Sequence, residues 1–194
     1  GAQIIPPHDA GIAAEIDGLG GPWNAQPAPV DITHPRVSWV PEAVDEAYLR
    51  AVLGLRVHPE AGALAVYTAM HGVGWRWMQR AAEAAGHRAL IPVVEQVEPD
   101  GDFPTVRFPN PEEPGALDLA RVRASEVGAD VIIAHDPDAD RLAVAVPDGQ
   151  GGWRNLTGNE VGVLLADDLL AHGAPAPDRL VATTIVSTSL LRRV

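Results

Sequence analysis

Short apolar segments of strand length alternate with amphipathic helical patterns over most of this chain, beginning near residue 42. The strand-like segments are residues 63–68, 89–97, 131–134, 142–146 and 180–186. The helical patterns cover residues 44–53, 75–85 and 117–127, and a further helix begins at residue 159. Buried strands separated by helices predict an α/β fold, here a three-layer αβα open sheet. In such a sheet the functional loops follow the carboxyl ends of strands.

Composition excludes several classes of function. The formal net charge of −12 argues against a nucleic-acid-binding protein, because such proteins use basic residues to neutralise phosphates. All 14 basic residues are arginine and there is no cysteine, which excludes lysine and thiolate chemistry within this chain. No apolar run reaches the ~20 residues that cross a bilayer. The amino terminus also lacks the features of a secretory signal, so we expect a cytoplasmic protein that does not bind membranes.

The first 41 residues differ from the rest in composition. Residues 8–16 predict a short amphipathic helix, and residues 20–41 are rich in glycine and proline, which indicates a linker. The chain begins without methionine, and residues 190–194 resemble an unfinished helix. We therefore expect it to be a fragment of a longer protein.

Three aspartates alternate directly after the apolar segment 131–134. In a continuing strand, Asp136, Asp138 and Asp140 would point to one face about 6.6 Å apart, at ~3.3 Å per residue. Ligands of one Mg²⁺ lie ~2.1 Å from the ion, so the segment can bind a single ion only if it forms a tight loop. Three converging carboxylates would repel by up to ~4 kcal/mol per pair at an effective dielectric of 20, which a divalent cation would offset.

Other kinds of site share part of this pattern. An EF-hand loop starting at Asp136 needs glycine at its sixth position and glutamate at its twelfth, where this chain has Arg141 and Pro147. A phosphatase of the haloacid dehalogenase type also has an Asp-x-Asp motif after a strand. That resemblance implies a downstream lysine, and this chain has no lysine. A solvated turn, and an Asp-x-Asp motif like that of glycosyltransferases, remain open alternatives.

The sequence of the loop resembles one family more closely. Residues 136–141, Asp-Pro-Asp-Ala-Asp-Arg, resemble the Asp-x-Asp-x-Asp-Arg metal loop of the α-D-phosphohexomutases. Residues 67–74, Tyr-Thr-Ala-Met-His-Gly-Val-Gly, resemble the family's Tyr-Thr-Pro-Leu-His-Gly-Val-Gly loop, with departures at Ala69 and Met70. Further resemblances, in the family's order, lie in residues 1–16, 99–114, 156–162 and 181–191. Together these segments extend over nearly the whole chain.

The resemblance implies a four-domain enzyme that interconverts sugar 1-phosphates and 6-phosphates through a phosphoserine and a bisphosphate intermediate. It places the end of domain 1 at residues 1–19, a linker at 20–41, domain 2 with the metal loop at 42–152, and an incomplete start of domain 3 at 153–194. A phosphorylated sugar would be the substrate.

The resemblance also implies roles for individual residues. Asp136, Asp138 and Asp140 would be the Mg²⁺ ligands, and Arg141 would contact phosphate oxygens. His71 is a candidate catalytic residue in its glycine-flanked loop, although a histidine there can equally hydrogen-bond the loop. We expect His135, next to the metal loop, to support the ligands and not to bind the ion.

Two parts of the family's machinery have no match here. No serine lies in a Thr-Ala-Ser-His-Asn-Pro-like phosphoserine motif, and the sugar-selecting Gly-Glu-x-Ser-like loop is absent from the sequence. We therefore expect the chain alone to be inactive as a mutase. A metal-dependent phosphatase and a non-catalytic metal- or ligand-binding module are the alternatives from other functional classes.

Overall fold

The computed structural model describes residues 4–20, 31–59, 62–87, 90–176 and 178–193. Residues 1–3, residues 21–30 of the predicted linker and Ala89 of a predicted strand lie outside this part. The chain divides into two compact units, Gly1–Pro41 and Glu42–Val194. The first contains helix α1, His8–Gly18, which confirms the helix predicted there.

The second unit is built on a five-stranded mixed sheet with strand order β2-β1-β3-β4-β5. Its strands are β1 Ala65–Thr68, β2 Leu90–Pro92, β3 Val131–His135, β4 Leu142–Pro147 and β5 Trp153–Leu156. β1 pairs in parallel with both β2 and β3. β3, β4 and β5 pair antiparallel with one another in sequence order.

Four helices accompany the sheet: α2 Glu42–Leu53, α3 Gly74–Ala84, α4 Asp118–Val127 and α5 Gly158–His172. Each matches a helix predicted from the sequence to within a few residues. Short 3₁₀ helices cover Val94–Gln96 and Ser189–Arg193. Within the described ranges, none of the helices has the length together with the apolar character that a membrane span requires.

The two faces of the sheet are covered by different helices. Val66 of β1 and Ile132 of β3 are fully buried and form a core cluster with Ala120 and Ala124 of α4. Tyr67, the next residue along β1, stacks on Trp75 of α3 with ring centroids 5.9 Å apart. Because successive residues of a strand point to opposite faces, α3 and α4 lie on opposite sides of the sheet. This confirms the predicted three-layer αβα architecture.

The order of the strands places a crevice at one end of the sheet. β1 leads through α3 to β2 on one side, whereas β2 leads through α4 to β3 on the other side of β1. Ligand crevices form at the carboxyl ends of strands where the winding reverses in this way. The register pairs Thr68 with Ala134, so the loops after β1 and β3 begin side by side.

Three strand predictions differ from the structure. The strand predicted over residues 180–186 is wrong: these residues form no regular strand, and Ile185 and Val186 are exposed. Nothing in the described ranges pairs with them, and a strand needs a partner for its backbone groups. The strand predicted over 89–97 is limited to Leu90–Pro92, because the chain then turns into a 3₁₀ helix. β5 was not predicted and extends the sheet beyond residue 152.

Candidate metal centre

The segment between β3 and β4, residues 136–141, is called the aspartate loop here. It reverses the chain tightly: the backbone N–H of Ala139 donates to the carbonyl of Asp136 at 2.9 Å. Ala139 has φ +58°, in the left-handed region that is uncommon for residues with a Cβ. The loop brings one carboxylate oxygen each of Asp136, Asp138 and Asp140 within 4.8 Å of the others. The segment thus has the tight loop that binding of a single ion would require.

Asp136 is the buried member of the cluster, with 1% of its surface exposed. Its Oδ1 accepts from the Arg141 backbone N–H at 3.0 Å, and its Oδ2 accepts from Arg141 Nε at 2.7 Å. Burial alone would raise the pKa of Asp136, but these hydrogen bonds and the guanidinium charge outweigh it and lower the pKa. Asp136 is therefore held as a carboxylate in a defined orientation.

Asp138 and Asp140 are exposed and lie in a field of like charge. The pKa of Asp138 is raised, mainly by the hydrogen bond that it shares with Asp136. The negative charges of Asp136 and Asp140 raise it further, to a lesser degree. A bound cation would remove this repulsion. Oxygens that share an octahedral Mg²⁺ lie about 3 to 4 Å apart, so a cluster within 4.8 Å needs only a small contraction. The donor set, all carboxylate oxygen, is the type that Mg²⁺ prefers.

The loop after β1, residues 69–73, packs directly against the aspartate loop. The backbone N–H of Val73 donates to the carbonyl of Pro137 at 2.9 Å. A Cβ on Gly72 would overlap the backbone of Pro137, so only glycine permits this approach. Met70 and His71 both have positive φ, 48° and 61°. This loop is therefore strained and shaped to contact the aspartate loop.

His71 lies in this loop and is buried, with 5% of its surface exposed. Its Nε2 is 2.8 Å from Thr105 Oγ1, and its backbone N–H donates to the carbonyl of Gln96 at 3.1 Å. These contacts place the ring against residues 98–115, which contain five prolines and are called the Pro-rich segment here. The structure brings Asp136, Asp138, Asp140 and Arg141 together; the hydrogen bonds of His71 run to other residues. Its catalytic role stays a prediction.

Sequence reasoning missed a buried polar network that supports the loop of His71. Gln96 is 1% exposed. Its Oε1 accepts from Thr68 Oγ1 at 2.5 Å, and its Nε2 donates to Thr105 Oγ1 at 2.8 Å. The Thr68 hydroxyl in turn accepts from the backbone N–H of Met70 at 3.0 Å. A single glutamine among the valines of residues 93–97 was the only clue to this network in the sequence.

A cleft of about 560 Å³ adjoins the aspartate loop between α2 and α3. Asp138, Ala139 and His135 form one wall, and Trp77 and Tyr48 lie on the helical side. The His135 ring is turned to Tyr67, with Nδ1 3.0 Å from the phenolic oxygen. Burial lowers the pKa of His135, and the negative charge of Asp136 raises it by less. The neutral form of the ring is therefore favoured. Its predicted supporting role stays a prediction.

Comparison with known families decides the classification. Residues 46–151, which include both loops, match the family model described as phosphoglucomutase/phosphomannomutase, alpha/beta/alpha domain II. The chain belongs to the phosphoglucomutase/phosphomannomutase family. The aspartate loop lies inside the matched region, as the resemblance of its sequence to an α-D-phosphohexomutase metal loop led us to expect.

Several similar proteins are named as mutases. A probable phosphomannomutase of Haemophilus influenzae is 44% identical over 194 residues, covering 100% of this chain and 39% of the relative. A human phosphopentomutase is 39% identical over 210 residues, covering 100% of this chain and 34% of the relative. The chain thus spans little more than a third of the length of either relative.

A solved structure supports the fold. A phosphoglucomutase/phosphomannomutase family protein from Burkholderia thailandensis matches with a TM-score of 0.55 and 24% identity. The match covers 66% of this chain and 26% of that protein. It therefore agrees with the α/β architecture described above.

Proposed function

We propose that this chain is the central part of a Mg²⁺-dependent sugar-phosphate mutase, which moves a phosphoryl group between positions 1 and 6 of a hexose through a phosphoserine and a bisphosphate intermediate. Residues 42–152 would form domain 2, to whose sheet β5 adds the edge strand Trp153–Leu156, and domain 3 would begin after that strand. The end of domain 1 would precede the linker. The family match over residues 46–151 supports this division. The names of the relatives support a phosphorylated sugar as substrate.

The observation that carries the proposal is the geometry of the aspartate loop. Three carboxylates converge at the carboxyl end of β3, in the crevice between β1 and β3 where α/β sheets bind ligands. A Mg²⁺ ion held by Asp136, Asp138 and Asp140 would neutralise charge on the phosphoryl group during transfer. Three protein ligands leave coordination positions for a phosphoryl oxygen and water.

Arg141 would have two tasks in this site. Through Nε and its backbone N–H it holds both oxygens of Asp136, which orients the buried ligand. A carboxylate has about four lone-pair sites, so Asp136 can accept these bonds and still bind a cation. The Arg141 side chain is 53% exposed, and its guanidinium would offer further N–H groups to a phosphate.

The activity is tested on two proteins. A longer enzyme that includes this segment should convert glucose 1-phosphate to glucose 6-phosphate with Mg²⁺ and a trace of glucose 1,6-bisphosphate, and Asp138→Asn should abolish most of that activity. The chain alone should bind Mg²⁺ but show no turnover. Phosphate release from p-nitrophenyl phosphate by the chain alone would favour the phosphatase, and mutase turnover by the chain alone would overturn the assignment as a partial enzyme.

A further inference from the structure

A second group of potential metal ligands lies outside the aspartate loop. His58 follows α2, and Asp168 and His172 lie on the last turns of α5, with Asp168 110 residues further along the chain than His58. Asp168 and His172 are four residues apart, so both side chains project from one face of the helix. The fold therefore brings a carboxylate and two imidazoles from distant segments to one point.

The ligand atoms converge closely. Asp168 Oδ1 lies 2.7 Å from His58 Nε2 and 3.0 Å from His172 Nδ1, and one ligand atom of each residue lies within 4.8 Å of the others. The two rings meet edge to face with centroids 4.9 Å apart. Tetrahedral Zn²⁺ with ligand bonds of about 2.0–2.1 Å needs ligand atoms about 3.3 Å apart, so an opening of a few tenths of an ångström would admit the ion.

We propose that His58, Asp168 and His172 form a second metal site, which binds Zn²⁺ with a water molecule as fourth ligand. Imidazole nitrogen selects zinc and similar transition metals over Mg²⁺, whereas the oxygen-only aspartate loop favours Mg²⁺. Two neutral histidines and one carboxylate carry a single negative charge, which a divalent cation more than neutralises. The site is also at the carboxyl end of α5, where the helix dipole stabilises positive charge.

The surroundings of this site favour binding. His58 and Asp168 line a mostly apolar cleft of about 470 Å³ that also includes Leu53, Val57 and Leu169. The three side chains are 40–57% exposed, so an ion can enter from solvent. A bound ion would join the segment after α2 to α5, which follows the region matched to the family.

Calorimetric titration of the untagged, chelator-treated chain with Zn²⁺, in millimolar Mg²⁺, tests the proposal. We expect one Zn²⁺ per chain, and His58→Ala, His172→Ala and Asp168→Asn should each weaken binding at least about tenfold, since even the partners of metal ligands contribute that much. Asp167→Asn on the same helix is the matched control and should bind like the parent. His172→Gln, which conserves more of the side chain, should show the same loss with the fold retained.

The site is independent of the proposed mutase function. Asp138→Asn should leave Zn²⁺ affinity unchanged, so a failure of the Mg²⁺ assignment does not affect this result. Two outcomes would overturn the proposal: no Zn²⁺ uptake in the presence of Mg²⁺, or the same Zn²⁺ affinity in the parent and in all the ligand variants. In either case the three residues form only a hydrogen-bonded cluster.

Discussion

Arg141 donates to both carboxylate oxygens of Asp136, through its backbone N–H at 3.0 Å and through Nε at 2.7 Å. The acceptor is almost completely buried, whereas the donor side chain is half exposed. This pairing compensates the buried charge of Asp136 when no metal is bound. Arg141 Nε also lies 3.8 Å from Asp140 Oδ1, and both outer carboxylates are exposed to solvent.

The first prediction concerns that pair. Arg141→Ala should lower the free energy of unfolding by about 1–2 kcal/mol, because the buried carboxylate loses its charged hydrogen-bond donor. The loss should be smaller in millimolar Mg²⁺, since the ion compensates the same charge. Urea denaturation with and without Mg²⁺ measures both values. Arg107→Ala, an exposed arginine of the Pro-rich segment, is the control, and an equal loss in the two variants would contradict the role of the pair.

The second prediction concerns the contact between the two loops. Gly72→Ala places a Cβ against the backbone of Pro137, so it should destabilise the chain by about 1–3 kcal/mol and weaken Mg²⁺ binding. Gly101→Ala is the matched control, because a Cβ there meets nothing within 4 Å. Thermal melts with and without Mg²⁺ compare the two variants. If Gly72→Ala melts like the parent, the close approach of the loops is not needed for stability.

Local patterns in the sequence predicted the layers, the helices and the aspartate loop. The apolar segment 131–134, followed by alternating aspartates, predicts a buried strand that ends at a ligand site. The strand forms because Ile132 and Ala134 are buried in the core, and the loop is held by the Ala139 to Asp136 backbone bond and by the hydrogen bonds from Arg141 to Asp136. Arg141 was predicted as a phosphate contact, but its pairing with Asp136 depends on how the loop curls, which spacing alone does not give.

Pairing between distant segments was harder to predict. β5, Trp153–Leu156, is half polar, and it is a strand because β4 offers a free edge. Residues 180–186 have many β-branched residues, yet no described strand pairs with them. Strand propensity depends on such context more than helix propensity does. The positive φ of Met70 and His71 likewise follows from tertiary contacts and not from local preference.

The third prediction concerns the start of α5. Thr157 and Glu160 form a capping box, in which Glu160 accepts from the Thr157 backbone N–H at 2.7 Å. That bond and the hydrogen bond from Arg154 lower the pKa of Glu160 to about 2. The ordinary pKa of 4.5 is higher, so the carboxylate stabilises the folded state above pH 4.5, and this contribution is lost as the pH falls toward 2.

Glu160→Gln tests this assignment. The variant should unfold more easily than the parent near neutral pH, and the difference in free energy of unfolding should shrink as the solution is acidified below the ordinary glutamate pKa. Chemical denaturation at a series of pH values measures it. Glu98→Gln, at an exposed glutamate of the Pro-rich segment, controls for the loss of one negative charge. A difference between parent and Glu160→Gln that does not change with pH would rule out the charged cap.

The fourth prediction concerns Asp138, the exposed carboxylate between the other two proposed ligands. If the three aspartates share one Mg²⁺, binding to the folded state raises the free energy of unfolding by about 1.4 kcal/mol for each tenfold increase in Mg²⁺ above its dissociation constant. Asp138→Asn keeps the shape of the side chain and removes one charge, so most of this response should disappear while the fold remains.

Without Mg²⁺, the same variant should be at least as stable as the parent. The pKa of Asp138 is raised by the hydrogen bond it shares with Asp136 and by the nearby negative charges, so removing its charge relieves repulsion within the loop. Thermal melts of both proteins across a Mg²⁺ series measure the two effects together. Asp102→Asn, at an exposed aspartate in another loop, should keep the full response. An equal Mg²⁺ response in Asp138→Asn and the parent would place the ion elsewhere, because a ligand cannot be replaced without weakening the site that it completes.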